Sequence, residues 1–322
     1  MKVINQIITH DSAIYHADTI EVARSLPAES IHFSVFNPPF ETLYTYSNSD
    51  RDMGNSSDSE EFWTHYRFLI AEQYRAMMSG RLVAIHCMNL PTSKARDGFI
   101  GIRDFRGEII RAYQDAGFIY HSEVCIWKDP VTAMQRTKAL GLLHKQLLKD
   151  SAMSRQGIPD YLVVMRKPDD NPEPCKGPLR HFVGEDAPAN FRPVKYDDHR
   201  LAWIPASQSA TPIDIWQRYA SPIWMDIRQT NTLQFRAARD SDDERHICPL
   251  QLDVIERAIQ LWTNPGDTVW SPFMGIGSEG YVAIQQGRRF IGVELKASYY
   301  ALAERNLAQA NRQQIDLFAE IG

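Results

Sequence analysis

The chain has 322 residues, of which 43% are hydrophobic and 11% aromatic, so it can bury a sizeable core and is not a disordered chain. No apolar run approaches the roughly 20 residues of a membrane helix, and the polar start lacks the apolar stretch of a signal peptide, so we expect a cytoplasmic protein without a membrane span. The net charge of −5 does not indicate nucleic-acid binding, but residues 128–167 carry eight Lys or Arg against three Asp, a basic segment that could meet phosphates.

The first half of the chain alternates short apolar runs with helical periodicity. Strands are predicted over 12–16, 31–36, 82–87, 122–127 and 161–165, and helices over 20–26, 62–78 and 105–116. The last two strands are predicted to form an antiparallel hairpin, with an amphipathic helix over 137–149 between them. This alternation favours an α/β fold with a mainly parallel sheet covered by helices on both faces.

Residues 169–243 break this rhythm, because they are rich in Pro and show no long periodicity. We interpret 169–242 as an insertion. Helices are then predicted over 252–262, 279–286 and 298–309, and strands over 268–270 and 290–294. The core is therefore expected to combine residues 1–168 with residues 243–322, so that the sheet is split between the two ends of the chain.

A glycine-rich turn at 271–280 separates a predicted strand from a predicted helix. Gly275, Gly277 and Gly280 match G-x-G-x-x-G, a pattern that lets a ligand approach the backbone and the free N–H groups of a helix N-terminus. Glu294 ends the next strand, where an acid can accept hydrogen bonds from a ribose diol. The pattern favours an adenosine-containing cofactor, and a tight turn beside an exposed Glu is the alternative.

The sequence Asn-Pro-Pro-Phe directly follows the strand predicted over 31–36. Pro38 and Pro39 impose a rigid, extended exit, so the Asn37 amide and the Pro38 carbonyl can point at one spot and accept two hydrogen bonds from an exocyclic NH2 group. Phe40 would offer a flat face to a flipped base. A strand-ending Pro-Pro turn with a core Phe is the alternative.

Together the two motifs resemble the S-adenosylmethionine-dependent amino-methyltransferases of DNA, which methylate adenine N6 or cytosine N4 on a Rossmann-like, class I sheet. The Asn-Pro-Pro-Phe sequence at 37–40, which we call the amine motif, precedes the glycine-rich turn at 271–280, which we call the cofactor motif. This order is similar to that of the permuted β group of these enzymes. The resemblance implies a circularly permuted α/β methyltransferase fold with 169–242 as the target-recognition region. It also implies double-stranded DNA as the partner and S-adenosyl-L-methionine as the cofactor, for a monomer or a homodimer.

The resemblance covers most of the chain and assigns further residues to the cofactor site. Tyr-His-Ala-Asp at 15–18 occupies the place of the family's cofactor-adenine strand, and Trp-Lys at 127–128 resembles the end of its W-x-K strand. Residues 246–251 resemble its H-P-x-Q-K-P segment, and their surroundings look like phage and prophage adenine methylases. The implied cofactor-binding residues are Asp18, Pro249, Gln251, Phe273, Met274, Gly275, Gly277, Ser278 and Glu294.

Two positions depart from the family pattern, because Ser271 and Asn37 stand where an Asp usually opens each motif. Many adenine-N6 enzymes carry Asn in the amine motif, whereas cytosine-N4 enzymes usually carry Ser. The resemblance therefore implies adenine-N6 methylation, with Asn37, Pro38, Pro39 and Phe40 as the catalytic residues. Methylation of cytosine N4 or of RNA, a nicotinamide-dependent oxidoreductase, and a catalytically weak DNA-binding relative are the alternatives.

The remaining expectations concern DNA and metals. The basic face predicted within 137–149 presents Lys138, Lys145 and Lys149, which we expect to contact DNA phosphates, with a solvated helix face as the alternative. The four cysteines stand far apart without a C-x-x-C pair, so neither a disulfide framework nor a zinc site is expected, and no metal is predicted.

Overall fold

The structure is a computed structural model that describes residues 3–40, 53, 56, 58–137, 142–175, 195–197, 200–202, 218–234 and 249–321. Its strands are β1 Val3–Ile8, β2 Ser12–Ala17, β3 Ile31–Phe36, β4 Met77–Met88, β5 Leu90–Pro91, β6 Ile102–Arg103, β7 Ile119–Ile126, β8 Asp160–Arg166, β9 Lys195–Asp197, β10 Arg200–Ala202, β11 Ile223–Trp224, β12 Thr268–Ser271 and β13 Arg289–Glu294. Its helices are α1 Thr19–Ser25, α2 Ser59–Ala76, α3 Lys94–Asp97, α4 Phe105–Asp115, α5 Pro130–Thr137, α6 His144–Lys149, α7 Leu252–Trp262, α8 Ser278–Gln285 and α9 Ala297–Ile321.

One large sheet joins the two ends of the chain. Its strand order is β1-β2-β13-β12-β3-β4-β8-β7-β11, and the strands from β2 to β4 run parallel to one another. The C-terminal strands β12 and β13 therefore lie between the N-terminal strands β2 and β3. The hairpin expected between β7 and β8 is antiparallel, as predicted. The predicted α/β fold with a parallel-rich sheet is confirmed.

Helices cover both faces of the sheet, as the apolar runs of its strands require. On β3, Phe33 and Val35 pack with side chains of α7, α8 and α9, whereas Phe36 packs with side chains of α1, α2 and α4. All three side chains are fully buried. Among the described residues, no helix combines the length and the apolar character needed to cross a membrane.

The helix predicted over 62–78 ends earlier than expected, and the chain continues directly into β4. Met77 has extended backbone angles, and the sequence Ser-Gly at 79–80 lies inside β4. Gly80 has a φ of +70°, and its N–H donates to the carbonyl oxygens of Lys167 and Pro168. A Cβ there would lie 2.6 Å from the backbone nitrogen of Asn171, so this close approach explains the glycine.

The single helix predicted over 137–149 is wrong. Within the described residues, α5 ends at Thr137 and α6 begins only at His144, because Leu143 is extended. Leu147 and Leu148 are 52% and 82% exposed, so α6 covers no core. Without an apolar surface to pack against, the periodicity of this stretch was not enough to form one long helix. The short edge strand β1 was also missed, because Asn5 and Gln6 interrupt its apolar residues and most of its side chains are exposed.

The third glycine of the G-x-G-x-x-G pattern sets the distance between α8 and the sheet. A Cβ on Gly280 would lie 2.5 Å from Cδ1 of Phe290, a ring that is only 1% exposed. We predict that Gly280→Ala lowers the free energy of unfolding by about 1–3 kcal/mol through overpacking. Chemical denaturation measures this change. Gly157→Ala is the control, because its Cβ would have no atom closer than 3.9 Å, and equal effects of the two variants would contradict the prediction.

Candidate functional site

A cleft opens where the parallel strands end. The carboxyl ends of β2, β12, β13 and β3 meet at one edge of the sheet, and the chain leaving each strand lines the cleft. The cleft encloses about 970 Å³ of empty space, counted out to its open mouth. The predicted site residues that line it are Asp18, Asn37, Pro38, Pro39, Pro249, Phe273, Met274, Gly275, Ser278 and Glu294.

The glycine-rich turn is held by the acid at the end of β13. Glu294 accepts a hydrogen bond from the Gly275 N–H at 2.9 Å through Oε2 and one from the Lys296 N–H at 2.8 Å through Oε1. Gly275 has a φ of +54° and nothing within 4 Å of the position of a Cβ, so its open side borders the cleft. The carboxylate therefore shapes the turn and also lines the cleft.

Gly277 has a structural reason that differs from its predicted role. Its φ is +86°, it precedes α8, and a Cβ would lie 2.7 Å from Cδ1 of Leu307 on α9. Gly277 itself does not line the cleft. We conclude that this glycine allows α8 and α9 to pack closely behind the turn.

Asp18 follows β2 and caps the helix that comes next. Its Oδ1 accepts hydrogen bonds from the backbone N–H groups of Ile20, at 2.8 Å, and Glu21, at 3.4 Å. The signal for this role was visible in the sequence, because Asp followed three residues later by Glu is a capping-box pattern. Since Asp18 also lines the cleft, its predicted cofactor contact and its helix cap occupy the same side chain.

The amine motif divides between the cleft and the core. Asn37, Pro38 and Pro39 emerge from β3 and line the cleft beside the glycine-rich turn. Phe40 does not line it, because the ring is 9% exposed and packs edge-to-face on Phe105 with centroids 6.1 Å apart. A base could stack on Phe40 only after the Phe40 ring, or the side chains packed on it, had moved. The stacking role therefore stays a prediction.

The predicted segment before α7 is also divided. Pro249 and its neighbour Leu250 line the cleft. Gln251 lies outside the lining, at the N-cap position of α7, and its side chain makes no capping hydrogen bond. Its Oε1 is buried without a hydrogen-bond partner among the described residues.

Sequence analysis missed an acidic residue of the cleft. Glu279 lies in the first turn of α8 and lines the cleft, but it is only 2% exposed. Burial raises the pKa of its carboxyl group to about 8, and the charge of Glu294 adds to this effect, while a hydrogen bond from its own backbone N–H opposes it. The residue was overlooked because an acid in the first turn of a helix is ordinarily explained by the helix dipole.

Acidic side chains line the cleft, and no Lys, Arg or His among the described residues accompanies them. Within the part of the chain that the structure describes, they are Asp18, Glu279 and Glu294. Three carboxyl groups around one concave, partly apolar space favour a ligand that carries positive charge.

The basic segment leaves the sheet at the edge that carries the cleft. Ile126 at the end of β7 pairs with Asp160 at the start of β8, and Asp160 pairs with Met88 at the end of β4. Lys145 and Lys149 are exposed on α6, in the segment between β7 and β8. Lys138 lies outside the described residues.

A cluster at the opposite edge of the sheet has the composition of a metal site. The donor atoms of His32, Glu173 and Asp267 lie within 4.8 Å of one another. However, Nδ1 of His32 accepts a hydrogen bond from the Thr268 N–H, so Nε2 carries the proton and faces Glu173 at 3.2 Å. Asp267 pairs with Arg81 at 2.6 Å. These protein contacts occupy the donors, and they fasten the turn before β12 to the start of β3.

Comparison with known proteins places this site in a family context. A family model of DNA methylases matches residues 31–305, a range that includes both the amine motif and the glycine-rich turn. The Type II methyltransferase M.BglII of Bacillus subtilis is 37% identical over 302 residues, which cover 93% of this chain and 69% of that protein.

Two solved structures share the fold. TTHA0409 of Thermus thermophilus, assigned as a DNA modification methylase and complexed with S-adenosyl-L-methionine, is similar with a TM-score of 0.61 and 20% identity, over 94% of this chain and 96% of that one. The PvuII DNA methyltransferase, which is cytosine-N4-specific, is similar with a TM-score of 0.55 and 14% identity, over 98% and 97% of the two chains.

The buried carboxyl group of Glu279 makes stability depend on pH. Its pKa is about 8 in the folded protein and ordinarily 4.5, so between these values the folded state holds a proton that the unfolded state has lost. Stability contributed by the protonated form is therefore lost as the pH rises through this window. We predict that Glu279→Gln raises the free energy of unfolding by roughly 1–3 kcal/mol at pH 8 and changes it little at pH 4. Denaturant titrations at the two pH values test this, and a gain of the same size at both would contradict it.

Proposed function

The chain belongs to the N6/N4 family of DNA methylases, and we propose that it transfers a methyl group from S-adenosylmethionine to the N6 amine of adenine in double-stranded DNA. One observation carries the proposal. The Asn37 end of β3 and the glycine-rich turn after β12 border the same cleft, because β3 and β12 are neighbouring parallel strands. Such a transfer requires the acceptor amine and the methyl donor to meet in one space.

The cleft suits S-adenosylmethionine in shape and charge. Its acidic lining complements a cationic sulfonium, and two buried polar atoms of its wall, Ser278 Oγ and Glu279 Oε2, have no partner among the described residues. Glu294 would accept from the ribose hydroxyls and Asp18 from the adenine amine, while Phe273 and Pro249 supply apolar contacts. The cofactor supplies an electrophilic methyl group.

Asn37 and Pro38 prepare the amine that receives the methyl group. The lone pair of an exocyclic amine is delocalised into its base, so the amine is a poor nucleophile. Acceptors at the Asn37 amide and the Pro38 carbonyl bind its hydrogens and favour a pyramidal nitrogen. The nitrogen bonds to the methyl carbon as the carbon–sulfur bond breaks, S-adenosylhomocysteine departs and the nitrogen loses one proton to solvent.

Asn37 supports adenine over cytosine, because many adenine-N6 enzymes carry Asn at this position of the motif, whereas cytosine-N4 enzymes usually carry Ser. Cytosine N4 is the second candidate, and it is favoured by the similarity to the PvuII enzyme. The region 169–242 would read the DNA sequence. The test is incubation of the purified protein with unmethylated DNA and S-adenosylmethionine, followed by mass spectrometry of the nucleosides. N6-methyladenine supports the proposal, and N4-methylcytosine alone would replace adenine by cytosine.

Asn37→Ala should remove methyl transfer while the cofactor still binds. The variant loses one preorganised contact that the transition state needs, which typically lowers the rate by about 10²–10³. Binding of S-adenosylhomocysteine, measured by calorimetry, should change less than twofold, because Asn37 faces the amine. Turnover near that of the wild type would refute the role of this motif.

Lys145 and Lys149 are proposed to contact DNA phosphates together with Lys138. Each contact releases condensed counterions, so log affinity falls with log salt by about 0.9 per contact. Replacing Lys145 and Lys149 by Ala should flatten the slope of log affinity against log salt by up to about two units. It should weaken binding to DNA with and without the recognised sequence alike. Fluorescence anisotropy against salt measures the slope.

The control for this pair is the double variant Arg305→Ala and Arg312→Ala. Both arginines are exposed on α9, which runs from the cleft toward the opposite edge of the sheet. The control should keep the wild-type slope. An unchanged slope in the lysine variant would identify α6 as a solvated helix.

A further inference from the structure

The first turn of α8 presents two buried polar side chains to the cleft. Ser278 and Glu279 are 3% and 2% exposed, and both line the cleft. Ser278 Oγ and Glu279 Oε2 have no hydrogen-bond partner among the described residues. A hydroxyl and a carboxyl oxygen of this kind destabilise the free protein, because each has lost its water without gaining a partner.

The position of the two groups specifies the ligand that would satisfy them. The N-cap of α8 is Gly277, which has no side chain to cap the helix, and the helix N-terminus carries a partial positive charge. The Ser278 hydroxyl adds a donor, so this end of the helix suits a carboxylate. Glu279, one residue on, offers an acceptor that suits an ammonium group. An α-amino acid in its zwitterionic form carries both groups side by side.

Ser271 stands where the family usually carries an acid, and an acid of α8 can take the place of that missing carboxyl group. The resemblance to the family places an Asp at the end of this strand, but Ser271 is fully buried and does not line the cleft. The acid nearest in sequence that faces the cleft is Glu279, beyond the glycine-rich turn. The acidic side chain therefore lies on the helix in this chain and not on the strand.

We propose that Glu279 and Ser278 bind the amino-acid end of S-adenosylmethionine, with Glu279 accepting from its α-ammonium group and Ser278 donating to its α-carboxylate. This inference rests on the proposed function. It assigns a specificity-determining residue to α8 that distinguishes the whole cofactor from an adenosine thioether without the amino acid.

The titration of Glu279 follows from its neighbours. The other titratable groups that line the cleft are Asp18 at the end of β2, Glu294 at the end of β13 and Tyr299 on α9. With a pKa of about 8, Glu279 is mostly protonated in the free protein at pH 7. Pairing with an ammonium group favours the ionised form, so ligand binding should release close to one proton.

The experiment compares two ligands that differ only in the amino-acid end, S-adenosylhomocysteine and 5′-methylthioadenosine. Isothermal titration calorimetry of the full chain at pH 7, in two buffers of different ionisation enthalpy, gives both affinity and proton release. Glu279→Gln should weaken S-adenosylhomocysteine at least tenfold, leave 5′-methylthioadenosine within twofold and abolish the proton release. Ser278→Ala should weaken S-adenosylhomocysteine alone. Glu304→Gln, an exposed acid on α9, is the control and should behave as the wild type.

Three results would overturn the inference. If Glu279→Gln binds S-adenosylhomocysteine with unchanged affinity, Glu279 does not contact the α-ammonium group. An equal loss of affinity for both ligands would mean that Glu279 maintains the shape of the cleft and does not contact the amino-acid end. If Glu279→Gln leaves the proton release unaltered, another group loses the proton. In each case wild-type methyl transfer to DNA stands, so the proposed function survives. A wild-type chain that binds neither ligand and methylates no DNA would refute both.

Discussion

The seam between β3 and β12 is the constraint on which the site depends. The two strands pair in parallel through Phe33 with Val269 and Ser34 with Trp270, and the Ser34 hydroxyl donates to the Trp270 carbonyl at 2.9 Å. Behind the seam, the Tyr113 hydroxyl donates to Gln73 at 2.5 Å, and Gln73 reaches Ser34 at 3.4 Å, so α4 and α2 fix the same point. Because parallel strands end at one edge, this pairing brings two distant motifs into one cleft.

Acidic and basic side chains lie in separate regions along that edge of the sheet, and each region suits a different ligand. The cleft is lined by acids, which suits a cationic cofactor, while the segment that carries exposed Lys145 and Lys149 leaves and re-enters the sheet at the end of β4 and suits a phosphate backbone. The net charge of −5 hides this division, because a sum over the whole chain does not show where the charges lie. Association with DNA would therefore be guided by a local field and not by the overall charge.

The sequence predicted the elements whose signal is local. The strand Ile31–Phe36 and the helix Leu252–Trp262 lie where their apolar patterns placed them, and the glycine-rich turn joins β12 to α8 as expected. What failed depended on distant contacts. The burial of Phe40 against Phe105 and the approach of Gly80 to Asn171 join segments far apart in the chain, and no periodicity carries that information. The same holds for Glu279, whose chemistry follows from burial and not from its place in a motif.

Stability and ligand binding are linked in this cleft. Ser271 Oγ, Ser278 Oγ and Glu279 Oε2 are buried without partners among the described residues, and all three belong to the turn and helix of the cofactor motif. The β13 acid, by contrast, is engaged by two backbone N–H groups, so the scaffold of the turn is complete before any ligand arrives. The groups that shape the cleft thus have hydrogen-bond partners within the fold. The polar atoms that face the ligand, or lie next to those that do, have none among the described residues. A ligand that satisfies them binds only the folded chain, so it stabilises the fold by RT ln(1 + L/Kd), where L is the concentration of free ligand.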